Sequence, residues 1–297
     1  MTVLSALYSL IRTVASSVRR LIGAAFDFLF TGESPTAPTN RAATVERQDA
    51  RPLVVRGNAT QKDRIGTVPD EVCVYAIGDI HGRLDLLQDL IGKIQSDAET
   101  LPVGTRVQLV FLGDYIDRGL NSKQVIDFLI GGQLDPFERV YLMGNHEEAL
   151  LRFMEDASFG QTWANYGGIE TLYSYGFQGP RQMLLGERSN DQSLDEAWNE
   201  LWDRFRSSIP ADHLTFYRQL VPYHVVGDYV FVHAGLKPGV PIQEQTSRDL
   251  FWIRDEFLRD TQPFEKIVVH GHTPADQIFH DHRRIRLDTG AYITGRL

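Results

Sequence analysis

Apolar runs alternate with amphipathic stretches from residue 71 onwards. Three apolar runs are each followed by leucine and isoleucine at helical spacing, which predicts three strand–helix pairs. The predicted strands are Val72–Ile77, 106–112 and 139–143, and the predicted helices are centred on 84–94, 124–129 and 146–154. Two further short strands are predicted at Tyr229–Val232 and 267–269. Strands that alternate with helices indicate an α/β fold.

The first seventy residues have a different pattern. Residues 1–30 carry apolar side chains at steps of three and four with Arg12, Arg19 and Arg20 between them, which predicts an amphipathic helix. No uncharged apolar run there reaches the ~20 residues that span a bilayer. Two interpretations stay open: a helix packed on the main domain or on a partner, and a helix lying on a membrane surface. Residues 31–70 begin with proline, serine and threonine, lack an apolar period, and are a predicted linker.

Composition and charge narrow the class of protein. The 297 residues are 42% hydrophobic and 23% charged, which excludes a fully disordered chain and a multi-span membrane protein. The net charge of −9 argues against a protein that coats nucleic acid. Residues 1–30 carry +2, 31–70 carry +1 and 71–297 carry −12, so the acidity belongs to one block. The single cysteine, Cys73, excludes an intramolecular disulfide and a cysteine-cluster zinc site.

Short polar sequences follow each predicted strand. They are residues 78–83 (GDIHGR), 113–119 (GDYIDRG), 144–147 (GNHE), 233–235 (HAG) and 271–273 (GHT). The carboxyl ends of strands in open α/β sheets are where ligands bind, so these sequences are expected to face one crevice. Each is weak alone, because asparagine often caps a helix and a single histidine is often a core residue. The ordered set of five indicates a binding site.

The residue types point to metal ions. Asp, Asn and His suit Mn, Fe or Zn. Asp79 and His81 can point to one ion, and Asp114 offers two oxygens that can bridge two ions. The second ion's ligands are completed by Asn145, His233 and His272. We therefore predict a site for two metal ions, which would activate a shared water.

The five sequences resemble those of the phosphoprotein phosphatase (PPP) family of metallophosphoesterases, in its bacterial and lambda-phage-like branch. The resemblance covers residues 71–297 and implies the calcineurin-like metallophosphoesterase fold, a central β-sandwich flanked by helices. Residues 156–220, which are aromatic and mixed in pattern, are then a helical cap insert. Because relatives continue with further strands after the sequence Asp288-Thr289-Gly290, we expect a sheet edge that lacks a partner.

One stretch of the cap also resembles the family. Trp163, Asn165, Gly167 and Gly168 are similar to a Trp-x-x-Asn-Gly-Gly stretch, with Tyr166 between the asparagine and the glycines. The stretch is interpreted as a wall of the substrate cleft. The alternative is that its aromatic side chains are simply core residues.

The resemblance also implies a role for each matched position. The expected ligands are Asp79, His81 and the bridging Asp114 for one ion, and Asp114, Asn145, His233 and His272 for the other. The expected catalytic side chains are His146 as general acid, Asp117 as its orienting carboxylate, and Arg118 and Arg254 as phosphate ligands. Arg248 and Arg259 are near enough in sequence to compete for the role of Arg254. The expected cofactor is a pair of divalent ions, Mn²⁺ first, with Fe and Zn as alternatives.

The predicted activity is hydrolysis of phosphomonoesters by direct attack of a metal-bridging hydroxide. A serine/threonine phosphoprotein is the first choice of substrate, with phosphotyrosine as an extension, and a dinucleoside tetraphosphate is the alternative. A pseudophosphatase that binds phosphorylated partners ranks lower, because every expected ligand and His146 is present. The expected partners are a phosphoprotein or a small phosphoester and no nucleic acid. The expected location is the cytoplasm, with membrane contact through residues 1–30 left open, as is the oligomeric state.

Overall fold

The computed structural model describes residues 66–177 and 193–297. The predicted N-terminal helix, residues 31–65 of the predicted linker and residues 178–192 of the predicted cap lie outside the described residues. Within the two described ranges, every helix is too short or too polar to cross a membrane.

A parallel sheet is formed by the three predicted strand–helix pairs. Its order is β1-β2-β3, with β1 at Val72–Ile77, β2 at Arg106–Phe111 and β3 at Glu138–Tyr141. The helices that follow are α1 at Leu84–Ala98, α2 at Ser122–Ile130 and α3 at Asn145–Glu155. The register pairs Tyr75 with Leu109 and Val110 with Val140, so the carboxyl ends of the strands meet at one edge. The strand–helix predictions are confirmed.

A second, mixed sheet has the order β4-β5-β6-β8-β7. Its strands are β4 at Tyr223–Val226, β5 at Tyr229–Val232, β6 at Ile267–His270, β7 at Phe279–His280 and β8 at Arg284–Arg286. Strands β5, β6 and β8 are parallel, and β4 and β7 pair antiparallel at the two edges. Only β5 and β6 were predicted. In the described residues no strand follows β8, which is paired on both sides by β6 and β7.

The two sheets pack face to face. Alternate residues of both sheets point into a shared apolar layer: Val74, Val110, Leu112, Phe231, Val269 and Ile285. Leu112 and Val110 are fully buried there, and each such side chain contributes about 1.5–3 kcal/mol of transfer free energy. The opposite faces are covered by helices, including α8 at Ser247–Trp252 and α9 at Asp255–Arg259 on the mixed sheet. The predicted β-sandwich flanked by helices is confirmed.

The described part of the cap is helical, as predicted. It comprises α4 at Gly160–Trp163, a π-helical turn at Ala164–Gly168, α5 at Ile169–Ser174, α6 at Leu194–Ser208 and α7 at Ala211–Gln219. A capping box of Ser193 and Glu196 starts α6. Trp163 is fully buried and stacks on Phe153 of α3 at 5.0 Å between ring centroids. Of the two interpretations, the core side chain therefore holds for Trp163 and the cleft wall does not, because its indole packs in the hydrophobic core between Phe153 of α3 and Phe205 of α6. A short helix, α10 at Ala291–Thr294, ends the described chain.

Candidate metal centre and catalytic site

The loops after β1, β2, β5 and β6 and the first turn of α3 bring the predicted ligands and the predicted acid to one place. Each of these side chains belongs to a residue that exposes 4% or less of its surface: Asp79, His81, Asp114, Asp117, Asn145, His146, His233 and His272. Polar groups are rarely buried to this degree without partners. The cluster is therefore a built site rather than a set of surface turns.

The backbone of these loops is strained. Outside glycine, positive φ in the described residues occurs only at His81, Asp114, Asp117, Arg118 and His272, with values between 45° and 71°. Such a conformation is uncommon for residues with a side chain, and it persists only where the surroundings enforce it. All five positions belong to the candidate site, which indicates that the loops are held for function.

Glu147 enforces part of this conformation. Its buried carboxylate accepts the backbone N–H groups of Asp114 at 2.9 Å, Tyr115 at 2.8 Å and Gly144 at 3.1 Å. Burial raises the pKa of Glu147 to about 7. A side chain at Gly144 would collide with the backbone of Asp114, so glycine is required there. Glu147 belongs to the sequence GNHE, and no role was predicted for it. The signal was present, since a glutamate three residues after an N-cap forms a capping box.

Asp114 lies between two groups of ligand atoms. Its Oδ2 atom is 3.5 Å from His81 Nε2 and 3.8 Å from His146 Nε2, and its Oδ1 atom is 3.4 Å from His233 Nε2. The two groups, each with all its ligand atoms within 4.8 Å of one another, are His81–Asp114–His146 and Asp114–His233–His272. This placement is the one expected of a carboxylate that bridges two ions.

The second group fits a cation on its own chemistry. His233 Nδ1 lies 2.8 Å from the carbonyl oxygen of Leu112, which assigns its hydrogen to that side and leaves a lone pair on Nε2. That Nε2 faces Asn145 Oδ1 at 2.9 Å and His272 Nδ1 at 3.2 Å. Burial lowers the pKa of His233 to about 3 and also lowers the pKa of His272. His272 Nδ1 also lies 2.8 Å from Asn145 Oδ1. One ring hydrogen on His272 can serve only one of these contacts well, whereas a divalent ion accepts a lone pair from each of the three side chains, so these residues fit a metal.

Asp79 is held differently from the other predicted ligands. Its carboxylate accepts the backbone N–H of His272, at 3.0 Å from Oδ2 and 3.2 Å from Oδ1. Burial and the neighbouring carboxyl of Asp288 raise the pKa of Asp79. The structure thus brings His81 and Asp114 together and places Asp79 against His272. Asp288 is itself buried beside the site, and no role in the site was predicted for it.

His146 and Asp117 form the predicted pair. His146 Nδ1 lies 2.7 Å from Asp117 Oδ2, and the same carboxylate accepts the indole N–H of Trp163 at 3.0 Å and the hydroxyl of Thr171 at 2.6 Å. Burial raises the pKa of Asp117 to about 7 and lowers the pKa of His146. Nε2 of His146 is left facing the centre. A histidine held by a carboxylate in this way can deliver a proton, and it can also ligate a metal.

The two predicted arginines border the centre. Arg118 Nη1 lies 3.1 Å from His81 Nε2, and the guanidinium stands 4.9 Å from the ring centroid of Tyr292. Arg254 lies in the loop between α8 and α9, and its charge contributes to the lowered pKa of His146 and of His233. Arg259 instead pairs with Asp255 at 2.8 Å, which favours Arg254 for the site.

Comparisons with known proteins identify a family and several relatives. The family model described as calcineurin-like phosphoesterase matches residues 74–293. The bis(5'-nucleosyl)-tetraphosphatase PrpE [asymmetrical] of Bacillus mycoides is 24% identical over 239 residues, covering 74% of this chain and 87% of that protein. The protein of the same name from Halalkalibacterium halodurans is 28% identical over 232 residues, covering 74% and 86%.

Solved structures give weaker likenesses. A cold-active protein-tyrosine phosphatase of a psychrophilic Shewanella has a TM-score of 0.43 at 16% identity, covering 77% of this chain and 76% of that one. A protein serine/threonine phosphatase from Saccharomyces cerevisiae has a TM-score of 0.43 at 16% identity, covering 75% and 69%.

Proposed function

The chain belongs to the calcineurin-like phosphoesterase family and is a metallophosphoesterase, and from that premise we propose that it hydrolyses dinucleoside tetraphosphates asymmetrically. The observation that carries the hydrolytic chemistry is the position of Asp114 between two groups of ligand atoms, beside the His146–Asp117 pair. The proposed substrate is supported by the relatives, which are named asymmetrical bis(5'-nucleosyl)-tetraphosphatases. The chain matches them over most of their length.

The proposed ligands divide between two ions. His81, Asp79 and Asp114 would hold one ion, and Asp114, Asn145, His233 and His272 would hold the other. Oxygen and imidazole donors suit Mn²⁺, and they also suit Fe and Zn. Bound there, the ions would supply an activated water and positive charge beside the phosphate.

The chain's own side chains would do the rest. Arg118 and Arg254 would bind the phosphate oxygens, because a planar guanidinium pairs well with them. His146 would give a proton from Nε2 to the leaving oxygen, while Asp117 holds the ring through Nδ1 at 2.7 Å. The burial that lowers the pKa of His146 makes its ring readier to give up a proton once it is charged.

A second candidate is the dephosphorylation of phosphoserine, phosphothreonine or phosphotyrosine. The observation that favours it is the sequence 113–119 (GDYIDRG), which has the form found in protein phosphatases of the PPP family. Both reactions need the same metal ligands, the same acid and the same arginines, so the centre alone supports either of them.

Parallel rate measurements test the choice. With the full chain in Mn²⁺, we expect kcat/KM for diadenosine tetraphosphate to exceed that for phosphoserine, phosphothreonine and phosphotyrosine peptides by about 10²-fold. Chromatography should show unequal products, AMP and ATP, and a chelator should abolish every activity. A reversed ratio would replace the proposed substrate with a phosphoprotein. Activity that survives removal of divalent ions would contradict the role given to the metal ligands.

A further inference from the structure

Two aromatic side chains form a corner beside His146. The ring of Tyr166 lies 6.3 Å from the imidazole of His146, and the ring of Trp252 lies 5.5 Å from Tyr166 at an interplanar angle of 56°. Both residues are only partly buried, so part of each ring stays accessible to solvent. Neither side chain has a role in the chemistry proposed above.

The Trp252 side of the corner is fixed to the helix that carries His146. The indole N–H of Trp252 donates to the carboxylate of Glu148, which lies two residues after His146 in α3. Trp252 ends α8, and Arg254 follows two residues later. Trp252 is therefore joined to the helix of the proposed proton donor by a hydrogen bond, and to Arg254 by two residues of backbone.

The Tyr166 side is fixed to the other arginine. Tyr166 lies in the π-helical turn Ala164–Gly168, and π-helical turns are often found at functional sites. The next residue, Gly167, has φ of 105°, and its carbonyl accepts the backbone N–H of Arg118 at 3.1 Å. A Cβ at Gly167 would lie 2.8 Å from the nitrogen of Arg118. The close contact holds Tyr166 at a set place relative to Arg118.

The position of the Tyr166–Trp252 corner beside His146 indicates which part of a substrate the two rings would contact. In the proposed reaction His146 would give its proton to the leaving oxygen, so the leaving group would lie next to His146. The ring of Tyr166 is then 6.3 Å from that side chain, and Trp252 adds a second aromatic ring at an angle to it. Aromatic faces bind planar rings by stacking, and nucleobases stack on tyrosine and tryptophan whatever their sequence.

We propose that Tyr166, backed by Trp252, is a stacking subsite for the base of the leaving nucleotide. The inference deepens the proposed function and rests on it for the direction of the leaving group. The subsite would bind adenine and guanine alike, since stacking needs only a planar ring. It would also favour nucleotide products over products that have no base.

Calorimetry on the full chain with Mn²⁺ separates the base from the phosphate. AMP and ribose 5-phosphate carry the same phosphate and sugar and differ in the base. We expect AMP to bind about 10-fold more tightly than ribose 5-phosphate, in line with stacking of one base. In Tyr166→Leu this preference should fall to near unity, whereas Tyr166→Phe, which keeps the ring, should retain it. Equal melting temperatures of the two variants would exclude misfolding.

Hydrolysis gives a second readout. In Tyr166→Leu, KM for diadenosine tetraphosphate should rise about 10-fold with a smaller change in kcat, and KM for inorganic tetrapolyphosphate should stay the same. Three results would overturn the subsite: an unchanged AMP preference in Tyr166→Leu, an equal loss of affinity for tetrapolyphosphate, or a loss confined to phosphotyrosine peptides. If the parent enzyme binds AMP through Tyr166 but cleaves no dinucleotide, the subsite stands and the proposed substrate is wrong.

Discussion

The loops of the parallel sheet and the loops of the mixed sheet supply one centre, but they are held by different means. On the parallel sheet, Glu147 ties the loop after β2 to the start of α3 through four backbone N–H groups, those of Asp114, Tyr115, Ile116 and Gly144. On the mixed sheet, His233 is oriented by the carbonyl of Leu112. The backbone N–H of His272 donates to the carboxylate of Asp79, which holds His272 in place. Both anchors belong to the parallel-sheet half. The parallel-sheet half is positioned by its own contacts. The mixed-sheet half has the contact of the Gly271 N–H with the His233 carbonyl, but its two histidines also depend on anchors in the parallel-sheet half.

The largest effect is expected from Glu147→Ala. Four backbone N–H groups would lose their acceptor in a buried place, so we expect the free energy of unfolding to fall by about 3 kcal/mol or more and both ions to be lost. His272→Ala, on the dependent half, should remove only the ion of the second group. Denaturant unfolding and metal content per chain measure the two effects.

Glu155→Ala is the matched control, because Glu155 lies exposed at the end of the same helix. It should change neither stability nor metal content. If Glu147→Ala keeps both ions while His272→Ala loses both, the proposed dependence of one half on the other is reversed.

His146→Asn should give the next largest effect. We expect kcat to fall by about 10²–10⁴-fold, the range typical of losing a general acid, while the metal content stays at that of the parent. The exposed His280 offers a control, and His280→Asn should leave both quantities unchanged. Because His146 Nε2 lies 3.8 Å from Asp114 Oδ2, the alternative role is a metal ligand. Loss of an ion in His146→Asn would establish that role instead.

The smallest effect is expected at the cap. The hydroxyl of Thr171 donates to Asp117 and lowers its pKa, which burial raises to about 7. Without that donor, as in Thr171→Val, the pKa of Asp117 rises further. Since kcat/KM should fall as pH drops and Asp117 gains its proton, the acid limb of the pH profile should move to higher pH by about one unit.

Thr171→Ser restores the hydroxyl and should restore the profile of the parent. A pH–rate series on all three proteins makes the measurement. An acid limb that stays in place in Thr171→Val would show that the cap does not act on Asp117 in this way.

The sequence predicts the parallel-sheet half well and the mixed sheet less well. Val72–Ile77 and Tyr229–Val232 are apolar on both faces and were predicted with their observed bounds. Strand β8 was missed because two of its three residues are arginines, Arg284 and Arg286. Their guanidiniums lie against the ring of Phe279, so only Ile285 shows an apolar pattern.

The residues of the site also differ in how well the sequence predicts them. Its ligands follow strands directly, so their convergence could be predicted from the strand ends alone. The contacts of Thr171 and Trp163 with Asp117 join residues 54 and 46 positions apart in sequence. Such contacts depend on how the cap packs on α3, and no local pattern reports that packing. For the same reason the sequence could not distinguish a core Trp163 from a cleft-facing one.

The apolar layer between the two sheets has a consequence for how such a centre evolves. Leu112 lies in that layer, and the chain continues from it to Asp114, while β5 continues from Phe231 to His233. The relative position of Asp114 and His233 is therefore coupled to the packing of this layer, in which the two sheets lie about 10 Å apart in sandwiches of this kind. Because a tightly packed interior transmits even the gain or loss of one methyl group, a substitution in this layer would be felt at the ligand atoms without altering any ligand. Substitutions in the interior can thus change the geometry of the site, although they lie outside the set of active-site residues.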